Sequence, residues 1–220
     1  MRIVLLDFCE TCVDFQTADA YVNFVLEQNG GGNAKFTKLY SICQKTHVLG
    51  ILERVFPKSS ISKKLCLLQI KGLSQNDLVR YARLYYEKRL KPHFIVPVIS
   101  EVIKLRDSGY RICVVSGGYD VYLEFFRKEF RINDSISAVL KFNDGIFTGK
   151  LDGFDCMFDN KVKLIEKFLP TNEDRREWMA LTDSITDLPM LSMVGVPVVI
   201  SHYHSQKWAE KRGFRQIIWN

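Results

Sequence analysis

Hydrophobic and polar positions fall into two regimes along the chain. The opening Arg2–Leu6 run is apolar from Ile3 to Leu6 and stops at Asp7. That is the pattern of a strand buried on both faces of a parallel sheet. From Thr17 to Gln28, apolar Ala18, Tyr21, Val22 and Val25 recur at helical spacing and stop at Gly30-Gly31-Gly32. Helices are also predicted over Lys35–Val55 and Ile61–Ile70. Ser74-x-x-Asp77 opens a further one that runs to about Leu90. Residues 14–92 therefore read as a helical block without a clear strand.

The second regime alternates. Val98–Arg106 reads as a helix closed by Gly109, and Arg111–Val115 as a strand ending in Ser116-Gly117-Gly118. Val121–Phe130 is helical. Ser137–Phe142 and Ile146–Lys150 flank Asn143-Asp144-Gly145, a hairpin signal. Lys161–Leu169 is a helix stopped by Pro170, and Trp178–Thr182 and Pro197–Ile200 are strands. Strands alternating with helices predict an α/β fold with a doubly wound, Rossmann-like parallel sheet. The expected division is a core of residues 1–13 and 93–220 carrying the 14–92 block as an inserted helical cap.

Composition narrows the class. The chain has 220 residues, 47% hydrophobic and 25% charged, which suits one globular domain with an insert. No apolar run of about 18 residues exists, so no membrane span is predicted. The apolar stretch before Asp7 is too short for a signal-peptide core. A cytoplasmic location is the expectation, with the six irregularly spaced cysteines as free thiols. Charge is uneven. Cys12 to His93 hold 13 Lys/Arg against 6 Asp/Glu, a net of +7 within a whole-chain net of +6. A lid that attracts anions and a merely solvated helical surface both fit this excess. Nucleic-acid binding is not expected, because no contiguous basic block or known motif accompanies the charge.

In open α/β sheets, ligands sit beyond the carboxyl ends of the strands. Three predicted strands end in Asp7, Ser116 and Asp183, and Lys161 opens a helix in the same half of the chain. Carboxylate oxygens suit Mg²⁺. A serine hydroxyl, glycine amides and a lysine suit phosphate oxygens.

These residues resemble the motifs of the haloacid dehalogenase superfamily, in its phosphoserine-phosphatase-like branch. Asp7-Phe8-Cys9-Glu10-Thr11 stands where that family has Asp-x-Asp-x-Thr. Val114-Val115-Ser116-Gly117-Gly118-Tyr119 matches the second motif, Lys161 the third, and Asp183-Ser184-Ile185-Thr186-Asp187 the fourth. The resemblance spans nearly the whole chain, in order. It implies a phosphatase acting on a small phosphorylated metabolite. Asp7 would be the nucleophile that forms an aspartyl phosphate, and Lys161 would neutralise charge. Thr11, Ser116, Gly117 and Gly118 would hold the phosphate. Mg²⁺ would sit on Asp7, Asp183 and the backbone carbonyl at Cys9, with Asp187 as a further ligand or as a residue that orients the ligands.

Two departures carry expectations of their own. Cys9 replaces the general acid/base Asp, and a thiol is a poor hydrogen-bond donor. Turnover helped by another acid, a substrate with a good leaving group, and a non-catalytic phosphate-binding protein all remain open. In the cap, Lys64 stands where the branch has an arginine for the substrate carboxylate, and the branch's cap glutamate is absent. A substrate ammonium would lack a counter-charge, so phosphoserine is not expected to be the substrate. Lys63 and Lys64 favour a more anionic ester. Finally, Cys9-x-x-Cys12 at a strand-to-helix turn fits a redox-regulated dithiol as well as two buried thiols.

Overall fold

The computed structural model describes residues 1–56, 59–169 and 174–220. Pro170 and Lys58 lie outside them.

Strand β1 (Ile3–Leu6) is followed by five helices: α1 (Thr17–Gln28), α2 (Ala34–Lys45), α3 (Val48–Val55), α4 (Ile61–Leu68) and α5 (Gln75–Tyr85). The predicted helix over Lys35–Val55 is in fact two, because His47 adopts a left-handed φ of 54° between them. Ser74 caps α5 as its spacing predicts, its hydroxyl accepting from Asp77 N at 3.1 Å. A π turn over Tyr86–Leu90 leads to α6 (Val96–Asp107) and β2 (Arg111–Tyr119), then α7 (Asp120–Glu129) and β3 (Asp134–Ala138). The remaining elements are β4 (Leu140–Asn143), β5 (Ile146–Leu151), α8 (Asp159–Phe168), β6 (Met179–Thr182), α9 (Leu188–Leu191), β7 (Val196–His202), α10 (Lys207–Glu210) and β8 (Arg215–Trp219).

Six parallel strands form one sheet in the order β3-β2-β1-β6-β7-β8. The alternation along β1 explains its unbroken apolar run. Val4 and Leu6 enter one hydrophobic cluster, and Ile3 and Leu5 enter the other, on the opposite face. The same division splits Ile112 and Val114 from Cys113 and Val115 on β2. Both faces are covered, as a parallel sheet requires.

Two assignments differ from the pattern-based reading. Ser137 belongs to β3, which pairs parallel with β2, so the hairpin consists of β4 and β5 alone. Its turn uses Asp144 (φ 48°) and Gly145 (φ 74°), both left-handed as a tight hairpin needs. The edge strand β8 was not predicted at all.

The helical block is not a separate module with its own core. Tyr85 packs edge-on to Tyr21 and to Tyr122, whose helix α7 lies on the sheet, and all three belong to one cluster with Phe126. The hairpin joins the block too: Gly72 N donates to Phe147 O at 3.0 Å and Gln75 N to Gly145 O at 2.7 Å. No described helix is long and apolar enough to cross a membrane.

Candidate active site

The sheet order reverses between β1 and β6. From β1 the chain adds β2 and β3 to one side, while β6, β7 and β8 extend the other. This switch point is where an open α/β sheet leaves a crevice at its carboxyl edge. Asp7 stands there at the tip of β1, its amide donating to Leu181 O at 2.9 Å, and Asp183 stands just past β6.

The turn after Asp7 folds back on itself. The amides of Thr11, Cys12 and Val13 all point at Phe8 O, at 3.3, 2.8 and 3.3 Å. Glu10 closes the turn in the left-handed region at φ 55°, a conformation that costs a non-glycine residue roughly 1–2 kcal/mol. The result places the Thr11 hydroxyl 3.0 Å from Asp7 Oδ2 and 3.0 Å from Asp183 Oδ1, while Asp183 N donates back to it at 3.1 Å. Gln206 Nε2 fixes the Asp183 backbone by donating to its carbonyl at 2.9 Å.

Lys161, buried near the start of α8, donates to Asp7 Oδ1 at 2.7 Å and to Asp187 Oδ2 at 2.6 Å. Thr182 Oγ1 donates to the same Asp187 oxygen at 2.8 Å. Burial alone would lower the lysine's pKa, but the carboxylates of Asp7 and Asp187 outweigh it and hold it above the usual value. Burial pushes the Asp7 carboxyl up, and the Lys161 ammonium only partly reverses this. Asp183 is pushed up to about 7, first by burial and then by the charge of Asp7.

Asp7 and Asp183 thus present oxygens to one hydroxyl, with a single ammonium on the far side of Asp7. Two hard carboxylates facing each other fit an oxygen-preferring divalent cation such as Mg²⁺. Of the remaining side chains near that point, Asp187 and Cys9 are engaged elsewhere. The Asp187 carboxylate is held by Lys161 and Thr182, and the Cys9 sulfur lies 2.9 Å from Thr17 Oγ1 and 3.9 Å from Ser116 Oγ. Among the described residues, no three His, Cys, Asp or Glu side chains form a cluster suited to a metal.

Ser116 is fully buried and its Oγ accepts from Gly118 N at 3.1 Å. Asp7, Ser116, Gly117, Lys161 and Asp183 line one cleft of about 480 Å³; Gly118 supports Ser116 from behind it. Lys64 does not reach this cleft. Lys63 lines it instead, because one step along α4 turns the side chain by about 100°. Lys63 Nζ donates to Gly117 O and to Asp155 Oδ1, each at 2.5 Å, tying the helical block to β2 and to the loop before α8. Asp19 of α1 also lines the cleft. A substrate ammonium would therefore meet a carboxylate after all, contrary to the expectation from the missing glutamate. Asp19 lies within a helix that carries no motif, and Asp155 lies in a loop without one; neither had a sequence signal.

Cys9 and Cys12 are free thiols. Cys12 Sγ donates to Asp7 O at 3.3 Å, so the two sulfurs are engaged with different partners. Burial and the Asp7 charge push both thiols up, which disfavours the thiolate a redox pair requires. His202, exposed at the end of β7, stacks on Trp219 with ring centroids 4.1 Å apart.

Comparison with known proteins accords with this geometry. The chain is 29% identical over 154 residues to the phosphoserine phosphatase of Polaromonas sp. (strain JS666), an alignment spanning 68% of this chain and 61% of that protein. A protein of unknown function from Bordetella pertussis Tohama I superposes with a TM-score of 0.81 at 16% identity, covering 98% of this chain and 97% of that one. A phospho-aspartyl intermediate analogue of phosphoserine phosphatase superposes with a TM-score of 0.64 at 19% identity, covering 99% and 92%. The family profile described as haloacid dehalogenase-like hydrolase matches residues 4–192. That match runs from β1 through α9 and takes in Asp7, Ser116, Lys161 and Asp183, and the chain belongs to the haloacid dehalogenase-like hydrolase family.

Proposed function

We propose that the protein is a Mg²⁺-dependent phosphatase that hydrolyses a small phosphomonoester through an aspartyl phosphate on Asp7. The observation that carries this reading is the environment of the Asp7 carboxylate. Lys161 holds one oxygen at 2.7 Å, Thr11 the other at 3.0 Å, and both open on a cleft walled by Ser116 and Gly117.

The Asp7 oxygen attacks phosphorus and the bond to the leaving oxygen breaks. Lys161 and Thr11 keep the attacking carboxylate oriented, which lowers the entropic cost of reaching the reactive geometry. The Ser116 hydroxyl and the Lys161 ammonium face the phosphoryl oxygens. Asp7 and Asp183 would hold Mg²⁺, which would supply charge neutralisation at the phosphoryl group. The leaving alkoxide takes its proton from solvent rather than from the Cys9 thiol, which lines the cleft but is a poor donor and is engaged with Thr17. Water then attacks the phosphorus of phospho-Asp7, releasing inorganic phosphate and restoring the carboxylate. The helical block, tied by Lys63 to Gly117 and Asp155, acts as the cap that screens the cleft from bulk water.

Lys63 favours an anionic ester over phosphoserine, although Asp19 makes a zwitterion a fair competitor. Turnover of a phosphometabolite panel with and without Mg²⁺ tests the whole reading. Mg²⁺-dependent phosphate release that Asp7→Asn abolishes is the expected result, and phosphoserine as the best substrate overturns the substrate choice. A second reading, a phosphate-binding protein without turnover, is favoured by Cys9 at the acid/base position. It predicts no burst even with an aryl phosphate, whose leaving group needs little protonation.

A further inference from the structure

A second cavity of about 470 Å³ adjoins the catalytic cleft, and Ser60, Met157 and Phe158 line both. It lies between α4, contributing Lys64 and Leu68, and the chain from Gly149 to Asn160. Its wall is apolar where Leu68, Leu151, Phe154 and Met157 meet, and Lys64 and Lys150 stand on its exposed side. Phe154 is 65% exposed on its rim. Asp155 contributes a buried carboxylate oxygen, Oδ2, that has no hydrogen-bond partner, although Oδ1 is held by Lys63.

Phe158 sits between the two cavities with φ 51° and ψ −135°, a conformation that phenylalanine adopts only when its surroundings enforce it. The chain therefore holds an aromatic side chain at the junction at a conformational cost. A phosphoryl group and a three-carbon leaving group would occupy the first cleft alone. The adjoining space suits a longer occupant continuous with the ester.

Resting on the phosphatase reading, we propose that this annex binds the far end of the leaving group. The substrate class is then a phosphate ester of an extended alcohol, with an apolar body against Leu68, Leu151 and Phe154 and an anionic end facing Lys64 and Lys150.

Three esters of similar leaving-group acidity test it: phenyl phosphate, 4-biphenylyl phosphate and 4′-carboxy-4-biphenylyl phosphate. The expected result is kcat/KM rising about tenfold or more from the first to the second, the scale of apolar pocket discrimination, and rising again to the third. Leu68→Trp, which fills the annex, and Phe154→Ala, which opens its wall at an exposed site, each collapse the biphenyl-to-phenyl ratio toward one. Lys64→Glu removes the gain from the carboxylate. Equal kcat/KM for all three esters, or a ratio unmoved by both annex variants, overturns the proposal. If no ester turns over, the phosphatase reading fails and the annex is judged by binding of 4-phenylphenol. Saturable binding lost in Leu68→Trp and Phe154→Ala supports it, and no binding to the parent protein overturns it.

Discussion

Cys9 Sγ lies 2.9 Å from Thr17 Oγ1, and the Thr17 hydroxyl in turn lies 2.7 Å from Tyr122 Oη. The sulfur two residues after Asp7 is thereby drawn into a buried polar chain at the base of the helical block. Cys9→Asp is expected to raise kcat on an alkyl phosphate by about 10²-fold, the lower end of what a positioned acid contributes. An aryl phosphate should respond little, and Cys9→Ser should give no gain on either ester. Steady-state rates on the two esters check this; equal gains on both would show that the aspartate acts other than by protonating the leaving group.

Lys161 is the single cation between two buried carboxylates, and its removal strands both. Lys161→Met is expected to cost about 3–5 kcal/mol of folding stability and to abolish turnover. The double variant Lys161→Met/Asp187→Asn should recover part of the stability but none of the activity. Urea unfolding of the three proteins measures it, and a double variant no more stable than the single one would contradict the pairing.

Lys63 and Asp155 form a nearly buried ion pair across the cleft, with side chains 9% and 11% exposed. Asp155→Asn weakens the tie between α4 and the loop before α8. The expected effect is a rise in KM larger than the fall in kcat, and faster proteolysis within residues 59–73. Unchanged KM with lowered kcat would move Asp155 from positioning to chemistry.

Gly195 precedes β7 under the Arg176 backbone. A Cβ at Gly195 would stand 2.0 Å from Arg176 O, a backbone atom that cannot swing aside. Gly195→Ala should lower stability by about 2 kcal/mol or more without touching the cleft. A thermal melt reads it, and an unshifted Tm would mean that the turn relocates freely.

The parts of this fold visible in the sequence are those where one periodicity acts alone. β1 is buried on both faces, so its apolar run is unbroken, and Ser74 caps α5 by a local bond that spacing reveals. β8 was invisible because it is an edge strand whose Arg215 and Ile218 are exposed, leaving no alternation to read. Ser137 pairs with Ser116, distant in sequence, while the nearby Asn143-Asp144-Gly145 turn drew it toward the wrong partner. At the site, Asp7, Ser116, Lys161 and Asp183 line one cleft, and each lies in or beside an element whose pattern shows in the sequence. The choice between Lys63 and Lys64 was not legible, since it depends on how α4 is rotated against the sheet. Asp19 and Asp155 gain meaning only through neighbours far away in the chain.

The aromatic side chains of Tyr21, Tyr85 and Tyr122 interlock across the boundary between the inserted helices and the sheet. Excising residues 14–92 would not yield a lidless hydrolase but a sheet with a raw, sticky flank. Any swap of this insert between relatives would have to carry the matching face of α7 along with it. Inserted helices and sheet share one interior, so a graft that replaced the helices alone would leave Tyr122 without its aromatic neighbours.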